Sequence, residues 1–539
     1  MTVRFPRLRT GGRGSGCLRM VSVMTENIVS RVKMYGVRKS FGEVVALDGV
    51  DFEAGKGEIH ALLGENGAGK TTLMNILSGL YRLDEGQILI DLREVSIYSP
   101  KDAIEAGVGM VHQHVELIGN FTALENILLG REGSRWKIDL DAHQSSAEKL
   151  GEKYGLSIPL HEPVKSLPAG IQQKVEILKA LYHGADILIL DEPTTMLTPQ
   201  EVDGLFSTLK ALAKGGLTVI FITHKIKEVL DNCDRITVFR GGKKIDTIFR
   251  EAASREKLVQ MMVGEHGAPP ENKRPAGPSA AMEGSSVLMV RGINTSAEWG
   301  VPLKNITFNI PRGLIVGLAG VSGNGQKELA EALAGLIEID EGDIHLNGSE
   351  VSELSVSSRI ARGISLLPQD RIEEGILPSL SLSENFVLGL HPHIFKRRGI
   401  FDRDIANALG RDAIKEFSIL AKNEHVPSAH LSGGNIQKMI VARSMMLSTK
   451  TGKILMIANN PTRGLDIMAA SFVHNRLDEL RSHGAGVLLI SEDLDELCLM
   501  CDRIIVIHSG ELFGSFDGPN YDIYKIGHLM AGQKLETGS

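Results

Sequence analysis

The chain has 539 residues, 42% hydrophobic and 23% charged, with 59 glycines. That length calls for several domains of about 100–200 residues each, and the composition excludes a disordered or fibrous protein. Lys and Arg number 59 against 66 Asp and Glu, a net charge of −7 that gives no sign of nucleic-acid binding. Apolar runs such as Leu314–Val321 and Val487–Ile490 fall far short of the ~18 residues a spanning helix needs. Four cysteines cannot build a disulfide framework. Cys498 and Cys501 form a CxxC with no second pair or partner His, so they read as structural thiols.

The first 24 residues hold five arginines and no acid, without the apolar core of a secretory signal. They read as a transit-like extension or, preferably, as sequence ahead of a start at Met24; residues 1–26 are set apart as an extension. Further on, Ile59–Leu63, Gly64–Lys70 and Thr72–Leu80 predict a strand, a glycine-rich turn and a helix. The more polar stretch 116–166 predicts a mostly helical lobe. Ile187–Leu190 and Thr218–Ile222 predict buried strands bracketing a helix over 200–214. Strands separated by helices indicate an α/β domain with a largely parallel sheet. The stretch 264–286 is rich in Pro, Gly, Ala and charge without periodicity, and predicts a linker.

Beyond that linker the chain repeats itself. Leu77–Gly86 (LSGLYRLDEG) returns as Leu333–Gly342 (LAGLIEIDEG), 256 positions on. Leu47, Val50, Phe52, Gly57 and Gly64 map at the same offset onto Leu303, Ile306, Phe308, Gly313 and Gly320. Cys233–Ile236 (CDRI) returns as Cys501–Ile504. A period this long means two duplicated domains, 27–263 and 287–535, not a solenoid.

The first copy carries the chemistry. Gly64, Glu65, Asn66, Gly67, Ala68, Gly69, Lys70, Thr71 and Thr72 form GxxxxGK[ST] between a strand and a helix. Its glycines turn backbone N–H groups toward phosphates, with the helix N-terminus behind them. Lys70 then reaches the β/γ-phosphates and the Thr71 hydroxyl is placed for Mg²⁺. Ile187–Glu192 ends a buried strand in two carboxylates, at the edge of a parallel sheet that faces a ligand crevice. There Asp191 is placed to hold Mg²⁺, and Glu192 to orient and deprotonate an attacking water. Gln113 completes the metal set, and His224 follows a strand where an imidazole can bond a γ-phosphate. His112 and His114 read as positioning flanks of Gln113, not as a metal pair.

These motifs, in this order, resemble the ATP-binding cassette (ABC) ATPases. Leu431–Gln437 (LSGGNIQ) in the second copy is similar to that family's signature. The resemblance covers roughly 27–530. It implies two tandem P-loop nucleotide-binding domains, each an α/β RecA-like core with a β-subdomain and a helical subdomain. It further implies head-to-tail pairing of the two cassettes within the chain. Each ATP is then held between one cassette's phosphate loop and the other's signature, here Ser432, Gly433 and Gly434. Phe41 stands where the family places an adenine-stacking aromatic; in the second copy Ala297 takes that place, with Trp299 nearby.

The copies are unequal. At the second phosphate loop, Gly320, Ser322, Gly323, Asn324 and Gly325 keep the turn, but Gln326 replaces the lysine and Lys327 the metal-binding hydroxyl. Asn459 and Asn460 replace the two acids, and Glu492 stands at the histidine position. In the first copy the signature reads Leu167–Gln173 (LPAGIQQ), where Pro168 removes a hydroxyl and an N–H, and Ala169 a glycine. Head-to-tail pairing would collect every alteration in one composite site and leave the other intact. Asn cannot act as a general base at neutral pH, so the expectation is one hydrolytic and one degenerate site.

The forms GENGAGKTT and GxSGNGQ resemble the ATPase subunits of simple-sugar and nucleoside importers, and Gly109–His114, Leu167–Ala180 and Asn460–Asp466 favour the nucleoside branch. That resemblance implies ATP and Mg²⁺ as cofactors and a place on the cytoplasmic face of the membrane. Its implied partners are two membrane permease subunits and, indirectly, an extracytoplasmic substrate-binding lipoprotein. The segment from Gln113 to about Leu129 would receive the permeases' coupling helices. Monosaccharide import is the alternative. A twin-cassette ATPase acting on ribosomes or DNA is remote, because the chain is acidic and lacks zinc cysteines and a long charged linker.

Overall fold

The computed structural model describes residues 29–264 and 286–533, apart from 43, 114–115, 132–138, 196, 390–395, 398–399 and 450–454. The extension 1–26, most of the linker 264–286, and His114 lie outside the described residues.

Each copy builds two sheets. In the first, Ser30–Phe41, Val44–Gly55, Glu85–Ile90 and Arg93–Glu94 form an antiparallel sheet. A six-stranded sheet places Ile59–Gly64 between Arg235–Arg240 and Thr218–Thr223, followed by Ile187–Asp191 and Val108–Val111. These five strands are parallel, and Lys243–Phe249 closes one edge antiparallel. The second copy repeats the plan: a four-stranded antiparallel sheet, then a six-stranded sheet with Ile315–Ala319 between Gly486–Ser491 and Arg503–His508.

The core strands read as unbroken apolar runs because both faces of the sheet are covered. Successive side chains point to opposite faces. Ile59, Ala61, Leu63, Leu188, Leu190, Val219 and Phe221 pack on one side with the helical lobe. Leu62, Ile187, Ile189, Ile220 and Ile222 pack on the other with the antiparallel sheet. The second copy alternates likewise: Met456, Ala458, Val487 and Leu489 face one core, Leu455, Ile457, Leu488 and Ile490 the other. Each buried Val, Leu, Ile, Met or Phe among them contributes about 1.5–3 kcal/mol relative to exposure.

The expected helix over 200–214 spans Pro199–Lys214, started by a capping box between Thr198 and Glu201. The expected lobe over 116–166 is only partly helical. Ala123–Leu128 and Leu140–Tyr154 are its α-helices, and the helix Ala169–Tyr182 packs with both. Cys501 is fully buried and Cys498 packs against the same core, as expected of structural thiols. Among the described residues no group of His, Cys, Asp or Glu has the arrangement of a metal cluster, and no helix is long and apolar enough to cross a membrane.

The copies touch directly. Tyr524, on the second copy's helix Ile523–Met530, donates its hydroxyl to Asp203 at 2.9 Å, and its carbonyl accepts from Gln200 Nε2 at 2.6 Å. Ile467 of the second copy packs against the first copy's core.

Candidate active site

The site assembles where the parallel strands end. Register pairs Leu63 with Thr223 and Asp191 with Ile222, so the phosphate loop, the acids and His224 leave the sheet at one carboxyl edge. Gly67 and Gly69 take positive φ of 79° and 97°, the left-handed region where a side chain is strained. A methyl group on Gly69 would also meet Ala46 O at 2.8 Å. The helix Lys70–Leu77 starts directly from this loop, leaving the N–H groups of its first turn for an anion.

Lys70 is 5% exposed and folds its ammonium onto the carbonyls of Gly64, at 2.7 Å, and Glu65, at 2.9 Å. Burial lowers its pKa, opposed by the charges of Glu192, Asp191 and Glu65. Burial likewise raises the pKa of Asp191, against a hydrogen bond to Thr71, and Glu192 raises it further. His112 is near enough to act on Asp191 through its charge. A carboxylate destabilised by burial beside a hydroxyl, with the Gln113 carboxamide near, is a donor set suited to a hard cation.

Glu192 is gripped from two sides. His224 Nδ1 lies 2.9 Å from one carboxylate oxygen, and Gln113 Nε2 donates to the other at 3.0 Å. Burial alone would raise its pKa; the hydrogen bond and charge of His224, with Lys70 and Lys225, reverse that and hold it below the ordinary value. Glu192 also has a φ of 44°, rare for a side chain with a Cβ and costly enough to need the surrounding structure. Gln113, Asp191, Glu192 and His224, nominated from three separate stretches of sequence, therefore converge.

The second copy's loop is filled by its own side chains. Gln326 Nε2 donates to Val321 O at 2.9 Å, and its oxygen accepts the Asn324 N–H at 3.0 Å, an amide of the loop itself. Asn324 also donates to Val321 O and accepts from Ser509 N. Lys327 is paired with Glu374 at 2.8 Å and Glu331 at 3.6 Å. Asn460 repeats the positive φ of Glu192, at 45°, but faces Asn459 and accepts the N–H of Glu492. Among the described residues no hydrogen bond joins Gln369 to Asn460, the counterpart of Gln113 to Glu192.

Both half-sites line one cleft of about 2080 Å³ between the copies. From the first come Asn66–Thr72, Gln113, Asp191, Glu192 and His224; from the second, Lys327, Gln369–Glu374, Asn460 and Glu492. Ser432–Gly434 and Pro168–Ala169 are not in its lining. The second copy instead brings Asp466 near enough to raise the pKa of Glu65, after burial, which is the larger cause. Phe41 lies outside the cleft lining, 44% exposed and edge-to-face with Tyr81 at 5.2 Å. Trp299 is also exposed.

Three features escaped the motif reading. Lys225 is half-buried, pairs with Glu228 at 3.5 Å, and is acted on by the charges of Asp493 and Asp495 of the other copy. Glu176, on the helix after Leu167, accepts the Glu116 N–H at 2.7 Å, and burial pushes its pKa up to about 7. The Tyr524–Asp203 contact belongs to no motif. Only Lys225, one residue past His224, stood within reach of a sequence signal.

The chain is similar to known proteins over most of its length. A family model described as ABC transporter matches residues 47–195 and 303–462. The nucleoside import ATP-binding protein NupA of Lactococcus lactis subsp. cremoris (strain MG1363) is 40% identical over 508 residues, 94% of this chain and 98% of that protein. The guanosine import ATP-binding protein NupO of Bacillus subtilis (strain 168) is 40% identical, covering 93% of this chain and 97% of its own. The glucose import ATP-binding protein TsgD13 of Haloferax volcanii is 37% identical, covering 93% and 96%.

Proposed function

We propose a function on the premise that this chain belongs to the ABC transporter family: it is the ATP-hydrolysing subunit of an importer of nucleosides. Nucleoside cargo is favoured over a monosaccharide because NupA and NupO align at 40% identity and the glucose importer's subunit at 37%. The carrying observation for hydrolysis is the geometry at Glu192, a carboxylate kept ionised and aimed by His224 and Gln113 beside a phosphate loop.

ATP binds with its phosphates on the amides of Asn66–Thr72. Lys70 exchanges the carbonyls of Gly64 and Glu65 for phosphate oxygens, which returns a stronger, charge-assisted bond. Thr71, Asp191 and Gln113 would hold Mg²⁺, whose charge would screen the phosphates. Glu192 orients water for in-line attack and takes its proton, while His224 fixes the carboxylate and turns to the γ-phosphate. Closure carries Ser432, Gly433 and Gly434 onto that nucleotide, completing one hydrolytic site. The partner site, with Gln326, Lys327, Asn459 and Asn460 against Pro168 and Ala169, has no base and does not hydrolyse.

Movement of the cassettes drives two permease subunits, fed by a substrate-binding lipoprotein, from the cytoplasmic face of the membrane. Ile118, Phe121 and Leu129 are apolar and exposed beyond Gln113, which supports docking of the permeases there.

The test is a pair of substitutions. Glu192→Gln is expected to lower ATP turnover by at least about 100-fold, the scale of a lost general base, and to stop uptake. Asn460→Ala is expected to change turnover less than about twofold. Equal losses in the two variants would sink the asymmetric reading.

A further inference from the structure

The second copy carries a cation that its degenerate half-site does not explain. Where the first copy runs from Gln113 to Thr122 with neither Lys nor Arg, the second runs longer, from Gln369 to Ser381, and includes Arg371. The extra length forms a tight turn. Asp370 caps it, one carboxylate oxygen accepting the N–H of Ile372 at 2.8 Å and of Glu373 at 2.9 Å, and the Glu374 N–H bonds Asp370 O. At its far end Glu374 is tied to Lys327 at 2.8 Å. The lysine that replaced the metal-binding hydroxyl thus anchors this turn.

From the middle of the turn Arg371 reaches the signature of its own cassette. A methyl group on Gly433 would sit 3.4 Å from its Cζ, and one on Gly464 would sit 3.0 Å from its Nη2. The guanidinium therefore lies against the start of the helix Gly433–Thr449, the positive end of that helix dipole. It is part-buried and lines the cleft between the copies. Among the described residues it forms no salt bridge; Asp370 beside it acts on it through its charge, while one oxygen of that carboxylate is committed to the turn. A desolvated cation at a positive helix end is repelled, and an anion arriving there would relieve the repulsion. Arginine suits that anion if it is a phosphate.

We propose that Arg371 is a phosphate-binding residue of the hydrolytic composite site, carried in with Ser432–Gly434 to contact the terminal phosphate of the ATP held by the first cassette. The inference rests on the head-to-tail reading above. It gives the altered second loop a positive role: Lys327 holds, through Glu374, the turn that supplies the other site. The first copy's altered signature brings no such cation, so the asymmetry of the chain extends to this residue.

The experiment uses the full chain with Glu192→Gln, which retains ATP, and measures equilibrium affinity for ATP and for ADP in Mg²⁺. Arg371→Gln is expected to weaken ATP at least tenfold and leave ADP within twofold, with Arg371→Lys in between. Glu374→Gln, which frees the turn, should show a smaller loss of the same kind. ATP and ADP weakened equally, or an ATP preference unchanged in Arg371→Gln, overturns the proposal. Ser432→Arg separates the two layers. If it abolishes ATP preference while Arg371→Gln does not, the composite site stands and the arginine falls. If neither changes the preference, the composite reading falls as well.

Discussion

Glu192, the proposed base, has neighbours that offset its burial. His224 and Gln113 occupy one carboxylate oxygen each, and the hydrogen bond and charge of His224, with Lys70, hold the pKa below its ordinary value where desolvation alone would raise it. His224→Ala removes the largest influence opposing burial, so the pKa of Glu192 rises. Turnover falls, and the acid limb of the ATPase pH profile moves to higher pH, because a base must lose its proton before it acts. Rates measured from about pH 4 to 8 check this; an acid limb that stays in place contradicts it. In the second copy, Asn460 keeps the backbone strain of Glu192 without its chemistry. The strand end survives duplication as geometry even where an amide replaces the acid.

At the scale of elements, the strand Ile59–Gly64 must enter the core and deliver the phosphate loop, and its entry is fixed by a buried charge cluster. Glu58 bonds His60 Nδ1 at 2.9 Å and Arg235, and also accepts the Gly55 N–H. Burial would raise the pKa of Glu58, but His60 and Arg235 hold it at about 2. Its folded value lies below its ordinary 4.5, so the stabilisation is full above about pH 4.5 and is lost as pH falls toward 2. Glu58→Ala leaves Arg235 half-buried without its charged partner, keeping only the Glu53 carbonyl, and is expected to destabilise the first cassette by about 3 kcal/mol. Urea unfolding checks it, and the variant's stability should fall less between pH 5 and 3 than the parent's. His60 sits in a strand otherwise apolar, and nothing local in the sequence separates it from a ligand. Its role is legible only once Glu58 and Arg235 are seen beside it.

For the whole molecule, the question is how two similar cassettes come to behave differently as they close. One side of the cleft is already held by the helix Ile523–Met530 against Pro199–Lys214. The equivalent helix in the first copy, Arg255–Val263, lines the open cleft through Arg255, Glu256, Val259 and Gln260. Closure would then turn about the Tyr524 contact. Gly527 is the tight point there, since a methyl group on it would meet Gln200 Oε1 at 2.5 Å and Pro199 Cδ at 2.8 Å. Gly527→Leu is expected to wedge the cassettes apart, raise the radius of gyration in solution scattering and lower ATP turnover at least tenfold. ADP binding to the first phosphate loop should persist. Unchanged scattering and turnover would place the hinge elsewhere.

Much of this was readable in advance, because a phosphate loop, a strand ending in acids and a following histidine are local patterns whose physics is local. Ile59–Gly64, Ile187–Asp191 and Thr218–Thr223 are fully buried, mostly apolar strands, paired in register with one another. The repeat likewise followed from residues alone, and so did the inequality of its halves. Tertiary structure decided what depends on distance across the chain: the grip of Gln113 and His224 on Glu192, and the pairing of Lys327 with Glu374. It also set Arg371 beside Gly433 and seated Tyr524 on Asp203. Those side chains lie tens to hundreds of positions apart, and a sequence specifies which charges exist but only folding decides which of them meet.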